Sequence, residues 1–288
     1  MESLQDLQKA IDSAKSLQSL VKTMKAYASS NINQFQKAAK ASLDYKEVLD
    51  KSLHIVFAYK DFVFEESNLE GKKLNIIFGS DHGLAGRFNE RIAGYTIKEV
   101  LQQEESINFV VGQQVARRVS DDLSVEQLFT VPQTIERVST AVNEMIVEIE
   151  KIRNNNKIEE IIMHYNKPID QISFQESSEK LFPINLKEFA QQDLEWNSKR
   201  LPTYFQASED IMSNLIQQYF FIALYRAFCF SLASESASRL SSMQQADENI
   251  EERLLELNFE YRRERQNSIT EELNDVISGF KAIKKSKK

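Results

Sequence analysis

The stretch Gly79-Ser80-Asp81-His82-Gly83-Leu84-Ala85-Gly86-Arg87 gathers three glycines, a carboxylate, an imidazole and a guanidinium. It follows an apolar run, Leu74-Asn75-Ile76-Ile77-Phe78, and precedes a predicted helix. Glycine-rich turns between a strand and a helix hold phosphate because their backbone N–H groups converge on it. The chemistry here does not suit that use. A phosphate loop needs GxxxxGK[ST], and a dinucleotide turn needs GxGxxG; neither spacing occurs. Asp81 would aim a negative charge at the ligand. Gly83 and Gly86, with small Ala85 between them, fit a tight structural turn that permits close backbone packing. Asp81 and His82 could form an acid–base pair, but no nucleophile is implied nearby.

The other reactive residues are scattered. His54, His82 and His164 are far apart, and no HExxH or H-x3-H pair exists, which argues against a zinc site. His54 and His164 lie in apolar segments and read as core or boundary residues. The single cysteine, Cys229, excludes an internal disulfide framework and a cysteine-based zinc site. It sits in an apolar run and reads as a small buried hydrophobe. No catalytic constellation, metal site or cofactor is expected.

The elements that would position these residues follow from the punctuation. Six of the seven glycines lie between Gly71 and Gly112, and all four prolines between Pro132 and Pro202. Residues 1–70 and 203–278 contain neither. Gly and Pro cost roughly 1 and 3 kcal/mol inside a helix, so two uninterrupted ends flank a turn-rich middle. The first end carries an apolar stripe at Leu4, Leu7, Ile11, Ala14, Val21, Met24, Ala28, Ile32, Phe35 and Ala39, with Gln18 in its one gap. The last carries Leu240, Met243, Ala246, Ile250, Leu254, Leu257 and Tyr261, then Ile269, Leu273, Val276, Phe280 and Ile283, with Arg265 in the gap. Steps of three and four are helical. Helices of ~55 and ~75 residues are roughly 80 and 110 Å long, and their stripes must bury on each other or on a partner. The expected fold is α/β: a long antiparallel two-helix coiled coil formed by the N- and C-terminal helices (residues 1–60 and 203–288) plus a central α/β domain (70–200). Strands are predicted at 73–79, 107–112, 125–131, 158–166 and 170–175, the last two joined at Lys167-Pro168-Ile169. Helices are predicted at 88–104, 113–120 and 133–154. Alternation of the two gives a parallel or mixed sheet with helices packed on it, and the last two strands fit a hairpin that adds an antiparallel edge.

Composition narrows the function. With 42% apolar and 27% charged residues the chain is globular, and a formal net charge of −7 argues against a nucleic-acid binder. No signal peptide or transit peptide opens it, and no run of about 18 uncharged apolar residues is present. The nearest, Tyr219–Ala233, carries Arg226 and reads as a helix buried on most sides.

Three segments resemble a known family. SDHGLAGRFN is similar to the S-D-R-G-L-C-G-x-F-N signature of the gamma subunit of F-type ATP synthases. KTMKAYASSNI, residues 22–32, resembles the gamma N-terminal K-A-M-K-M-V-A-A-A-K stretch. Residues 234–279 are similar to the gamma C-terminal motif S-E-x-A-x-R-x-x-A-M…R-x-R-Q-x-x-I-T-x-E-I. The resemblance covers both ends and the first strand, turn and helix; from about 107 to 200 it is one of architecture. It implies a non-catalytic rotor: a coiled-coil shaft inside a ring of three alpha and three beta subunits, coupling ATP chemistry to ion translocation. It implies a foot that contacts the epsilon subunit and the membrane c-ring, peripheral to a bacterial inner membrane on its cytoplasmic side. By motif it implies beta-subunit contacts at Lys22, Met24 and Lys25, at Glu235 and Arg239, and at Arg265, Gln266 and Thr270. Ala85 stands where the family has cysteine, and the N-terminal helix is more polar than usual. In this the chain resembles the gamma of an alternative, second-operon bacterial F-type ATPase, sometimes sodium-linked. It lacks the inserted cysteine pair of the chloroplast kind.

Two features of the residues bear on the same question. From Ser13 to Leu43 there is no Asp or Glu, yet there are five lysines: Lys15, Lys22, Lys25, Lys37 and Lys40. Solvated helices usually interleave both signs. The run is either a solvated face or one that meets acids, whether Asp247, Glu248, Glu251, Glu252 and Glu256 of its own chain or those of a partner. Arg265 interrupts the apolar stripe. Burying it unpaired is costly, so the seam opens there, Arg265 snorkels to water, or it finds a partner. The competing function is a free-standing coiled-coil adaptor with an α/β docking head, which needs no Arg-Gln-Thr set.

Overall fold

The computed structural model describes residues 3–58, 71–103, 105–170, 173–184, 204–205 and 207–286, with side chains through 279. The expected boundaries at 60, 70, 200 and 203, and the side chains of the lysine-rich tail, lie outside the described residues.

The order is α1 (Leu4–Ala58), β1 (Lys72–Phe78), α2 (Phe88–Val100), β2 (Ser106–Val111), α3 (Gln113–Val119), β3 (Gln127–Phe129), α4 (Ile135–Asn155), β4 (Ile158–Pro168), β5 (Phe174–Phe182) and α5 (Ser208–Ser286). The chain divides into two units: Ala28–Ser241, and the helix ends Met1–Tyr27 with Ser242–Lys288.

In the first unit the sheet runs β3-β2-β1-β4-β5. The first four strands are parallel and β5 pairs antiparallel with β4. β1 and β2 are nearly continuous apolar runs because helices cover both faces. On one face Leu74, Ile76, Phe78, Phe109, Ile161 and Met163 pack against Val138, Val142, Met145 and Ile149 of α4 and against Leu224, Ala227, Phe228 and Leu232 of α5. The steps of four and three in α4 place its four residues on one helical stripe. On the other face Ile77 and Val110 meet Ile92, Val100, Val115 and Val119 of α2 and α3. α5 holds one stretch long and apolar enough to cross a membrane. That stretch is the core helix, and its Arg226 is buried against Glu179, whose other oxygen accepts from the Tyr165 hydroxyl at 2.7 Å.

The same unit pairs the inner halves of the long helices. Tyr45 donates to Gln218 at 3.3 Å, and Leu53 and Val56 pack with Met212. In the second unit Leu7 and Ile11 pack with Leu254, Leu257 and Tyr261, and Lys25 pairs with Asp247 at 3.2 Å. Rising numbers on α1 meet falling numbers on α5, so the pairing is antiparallel.

The last three strands differ from the sequence reading. β3 is three residues long, because only Gln127–Phe129 register with β2. β4 runs on through Pro168, which pairs with Phe174 at the strand end, a place where a missing N–H is tolerated. The reversal therefore falls after Pro168, where Ile169 N–H donates to the Ser173 carbonyl at 3.0 Å, and β5 is Phe174–Phe182 rather than 170–175. Its alternating, half-exposed polar residues mask it as a strand; that pattern belongs to a sheet edge.

Candidate functional site

The glycine turn leaves the carboxyl end of β1, next to the point where the sheet order reverses from β2 to β4. In parallel sheets that crevice is where ligands bind. Here the chain fills it with its own groups. Ser80 is fully buried, its N–H donating to Asn89 Oδ1 at 2.9 Å and its carbonyl accepting from Gln114 N–H at 2.8 Å. Asp81 accepts from Gln113 N–H through Oδ1 at 3.0 Å and from Val131 N–H through Oδ2 at 2.8 Å. The donors a phosphate would need are spent on a carboxylate. Close approach occurs at two neighbouring glycines. A Cβ on Gly79 would lie 2.3 Å from Val115 Cγ1, and one on Gly112 would lie 2.7 Å from the Ser80 backbone at a φ of +103°. Gly86 does adopt a positive φ, +52°. Gly83 faces open space, so the packing role assigned to it is corrected. Leu84, a branched residue at φ +63°, is 62% exposed. Such strain in a non-glycine residue persists only where the surroundings enforce it.

α5 closes over this turn. Ser238 Oγ donates to the Ala85 carbonyl at 2.7 Å, and Ser234 Oγ to the Asn166 carbonyl at 2.9 Å. One turn away Glu235 is buried and its carboxylate is taken by Arg239, four residues on. Burial pushes the Glu235 carboxyl above the ordinary range although Arg239 and His82 pull it down. Glu235 therefore presents nothing outward; it holds Arg239, which stays half-buried. Cys229 is buried, and burial pushes its thiol up to about 12. Of the histidines, His82 is exposed on the turn and His164 is buried within the sheet.

The remaining predicted residues lie in the helix-end unit. Lys22 is exposed; Met24 and Lys25 are half-buried, Lys25 against Asp247. The apolar stripe of α5 is covered through Tyr261, where the first turns of α1 pack on it. Beyond that the cover ends. Arg265, Gln266 and Thr270 are all exposed, and the Thr270 hydroxyl donates to the Gln266 carbonyl at 2.8 Å. Ile269, Leu273 and Val276 are exposed at 56%, 59% and 72%. Arg265 thus marks the place where the seam loses its second helix. Lys25 and Arg265 are not one cluster: Asp247 and Arg265 are about 27 Å apart along α5 at 1.5 Å per residue.

A protein-family model described as ATP synthase matches residues 3–283. The chain belongs to the ATP synthase gamma family. Relatives named ATP synthase gamma chain include one from Pelagibacter ubique, 29% identical over 98% of this chain and all of its own length. Another, from Mycoplasmopsis agalactiae, is 25% identical over 98% of this chain and all of its own. The fold is shared with a chain of the Euglena gracilis mitochondrial ATP synthase, at 15% identity and a TM-score of 0.61, covering 99% of this chain and 96% of that one. A chain of the Tetrahymena thermophila central stalk and c-ring gives a TM-score of 0.55 at 18% identity, covering 79% of this chain and 99% of that one. Membership makes this chain the central-stalk subunit of a rotary ATP synthase complex associated with a membrane.

Proposed function

We propose that this chain transmits torque between an alpha3–beta3 catalytic ring and a membrane c-ring, with no catalytic site of its own. Lys22, Met24 and Lys25 on α1, Arg239 on α5, and Arg265, Gln266 and Thr270 near the end of α5 face the beta subunits. Glu235 serves the same contact by holding Arg239. The α/β part binds the epsilon subunit and the c-ring, and the complex lies on the cytoplasmic side of a bacterial inner membrane.

The observation that carries this reading is the uncovered length of α5. From Arg265 to Val276 a helix with exposed apolar residues at i, i+4 and i+7 has lost the α1 cover that buries the same stripe earlier. Apolar residues at that spacing are how a helix enters a groove in a partner. Arg265 and Gln266 beside them supply donors for carboxylates or carbonyls. In the acid-free run Ser13–Leu43 Lys25 pairs with Asp247, while exposed Lys22 is left to attract an acidic surface at long range, a contact that guides without locking.

The test is reconstitution with alpha and beta subunits from the same genome. The expected outcome is one copy of this chain per 3:3 ring and ATP hydrolysis that depends on it. Arg265→Ala with Gln266→Ala should lower that hydrolysis while leaving the melting temperature of the chain unchanged. A ring that neither binds the chain nor responds to it overturns the reading.

A further inference from the structure

The face of the sheet under α2 carries a row of polar side chains: Asn108 on β2, Asn75 on β1, His164 on β4 and Ser178 on β5. Asn75, Asn108 and His164 are at most 1% exposed. Their hydrogen bonds form one chain. Asn108 Nδ2 donates to the Ser124 carbonyl at 3.0 Å. Asn75 Nδ2 donates to Asn108 Oδ1 at 3.1 Å and to Gln103 Oε1 at 3.0 Å. His164 Nε2 lies 3.0 Å from Asn75 Oδ1, and Nδ1 lies 2.7 Å from Ser178 Oγ, which reaches Tyr95 Oη at 3.2 Å.

The asparagine fixes the proton. Because the Asn75 amide nitrogen is spent as a donor, its oxygen must accept, so His164 carries a proton on Nε2; in the neutral ring Nδ1 accepts from Ser178, whose single hydroxyl proton then turns from Tyr95 to the ring. The imidazole is the one side chain in this row that joins the β2–β1 half to the β4–β5 half. Charged groups on the same face are engaged with one another. Glu176 of β5 is held by Arg91 of α2, and Lys180 of β5 and Lys73 of β1 both pair with Glu160 of β4. From α2, Tyr95 reaches the row through Ser178. Among the described residues no carboxylate hydrogen-bonds to the imidazole.

We propose that this row is an acid-sensitive latch: a neutral His164 fastens the β4–β5 hairpin to β1, and protonation of His164 opens the hairpin. A buried imidazolium with no counter-charge is disfavoured. Burial pushes the His164 imidazole down from 6.5 to about 4. In an opened hairpin it returns to its ordinary value, so opening gains a proton. The opening constant then rises about tenfold per unit as pH falls from 6.5 to 4, about 300-fold in all.

Two measurements on the full chain test this. Long-range nitrogen–proton NMR of histidine-labelled protein should show His164 as the Nε2–H tautomer with no titration above pH ~5. A Nδ1–H tautomer, or titration at the ordinary value, overturns the proposal without needing any variant. Hydrogen exchange of the β5 amides is then followed from pH 7 to 5 in the wild type and in His164→Gln, whose amide can donate to Asn75 and accept from Ser178 but cannot titrate. The ratio of the two opening constants cancels the intrinsic pH dependence of exchange. It should climb about tenfold per unit below pH 6.5; a flat ratio refutes the latch.

Discussion

Replacing Asp81 with alanine separates a structural turn from a phosphate site. Its two carboxylate oxygens satisfy two backbone donors from different segments, Gln113 N–H at the start of α3 and Val131 N–H after β3. A hydrogen bond to a charged group contributes about 1.5–3 kcal/mol. Gln113 is exposed, so water can replace the acceptor there and the lower end applies; Val131 is 7% exposed, so its orphaned N–H takes the upper end. The sum is about 4.5 kcal/mol, a fall in melting temperature on the order of 10 °C for a unit of this size. Asp81→Asn keeps one acceptor and should recover about half of that loss. The assay is thermal unfolding of the full chain by circular dichroism, with ATP and inorganic phosphate titrated calorimetrically into the wild type and both variants. An Asp81→Ala melt within about 2 °C of wild type would refute the reasoning, since no cap can then be worth its hydrogen bonds. Phosphate binding that appears once the negative charge is removed would show instead that the crevice is a ligand site held shut.

Gly112→Ala puts a Cβ 2.7 Å from the Ser80 backbone at a φ of +103° and should cost on the order of 3 kcal/mol in a denaturant titration, whereas Gly83→Ala, facing open space, should stay within about 0.5 kcal/mol. A double-mutant cycle on Lys25 and Asp247, which are 32% and 15% exposed in their side chains, should return a coupling of about 0.5–1 kcal/mol that shrinks in high salt. For Glu235 the sign follows from burial, which raises the native carboxyl above its ordinary 4.5, so the folded state keeps the proton to higher pH. Its contribution is complete below 4.5 and is lost as pH rises through the native value; melts of wild type and Glu235→Gln should diverge in the variant's favour as pH rises above 4.5.

Much of the fold was legible because it rests on short-range rules. The absence of Gly and Pro from the ends, with apolar steps of three and four, predicted helices that span Leu4–Ala58 and Ser208–Ser286. The apolar runs within 73–79 and 107–112 predicted strands of a sheet packed with helices, and the structure has them at Lys72–Phe78 and Ser106–Val111. β5 was misplaced because an edge strand has no apolar signature to read, and Lys167-Pro168 looks like a turn until its pairing with β5 is known. The candidate site was legible only by motif. Arg265 stood out as a polar break in the stripe, but nothing in the stripe said whether it was buried or exposed.

By itself the sequence determined the two long helices, the alternating middle, the lack of a phosphate-loop spacing and, through SDHGLAGRFN and the long C-terminal motif, the family. These are properties of neighbouring residues and their periods. The tertiary structure alone decided which groups meet across the chain. It gave Asp81 to the amides of Gln113 and Val131, turned Glu235 inward onto Arg239, and moved the close backbone approach from Gly83 to Gly79 and Gly112. It also ended the cover of α5 after Tyr261, leaving Arg265 and Ile269 exposed. Those outcomes depend on contacts between residues tens to hundreds of positions apart. No local period encodes them, because burial and hydrogen-bond partners are set by where the elements pack rather than by what each element is.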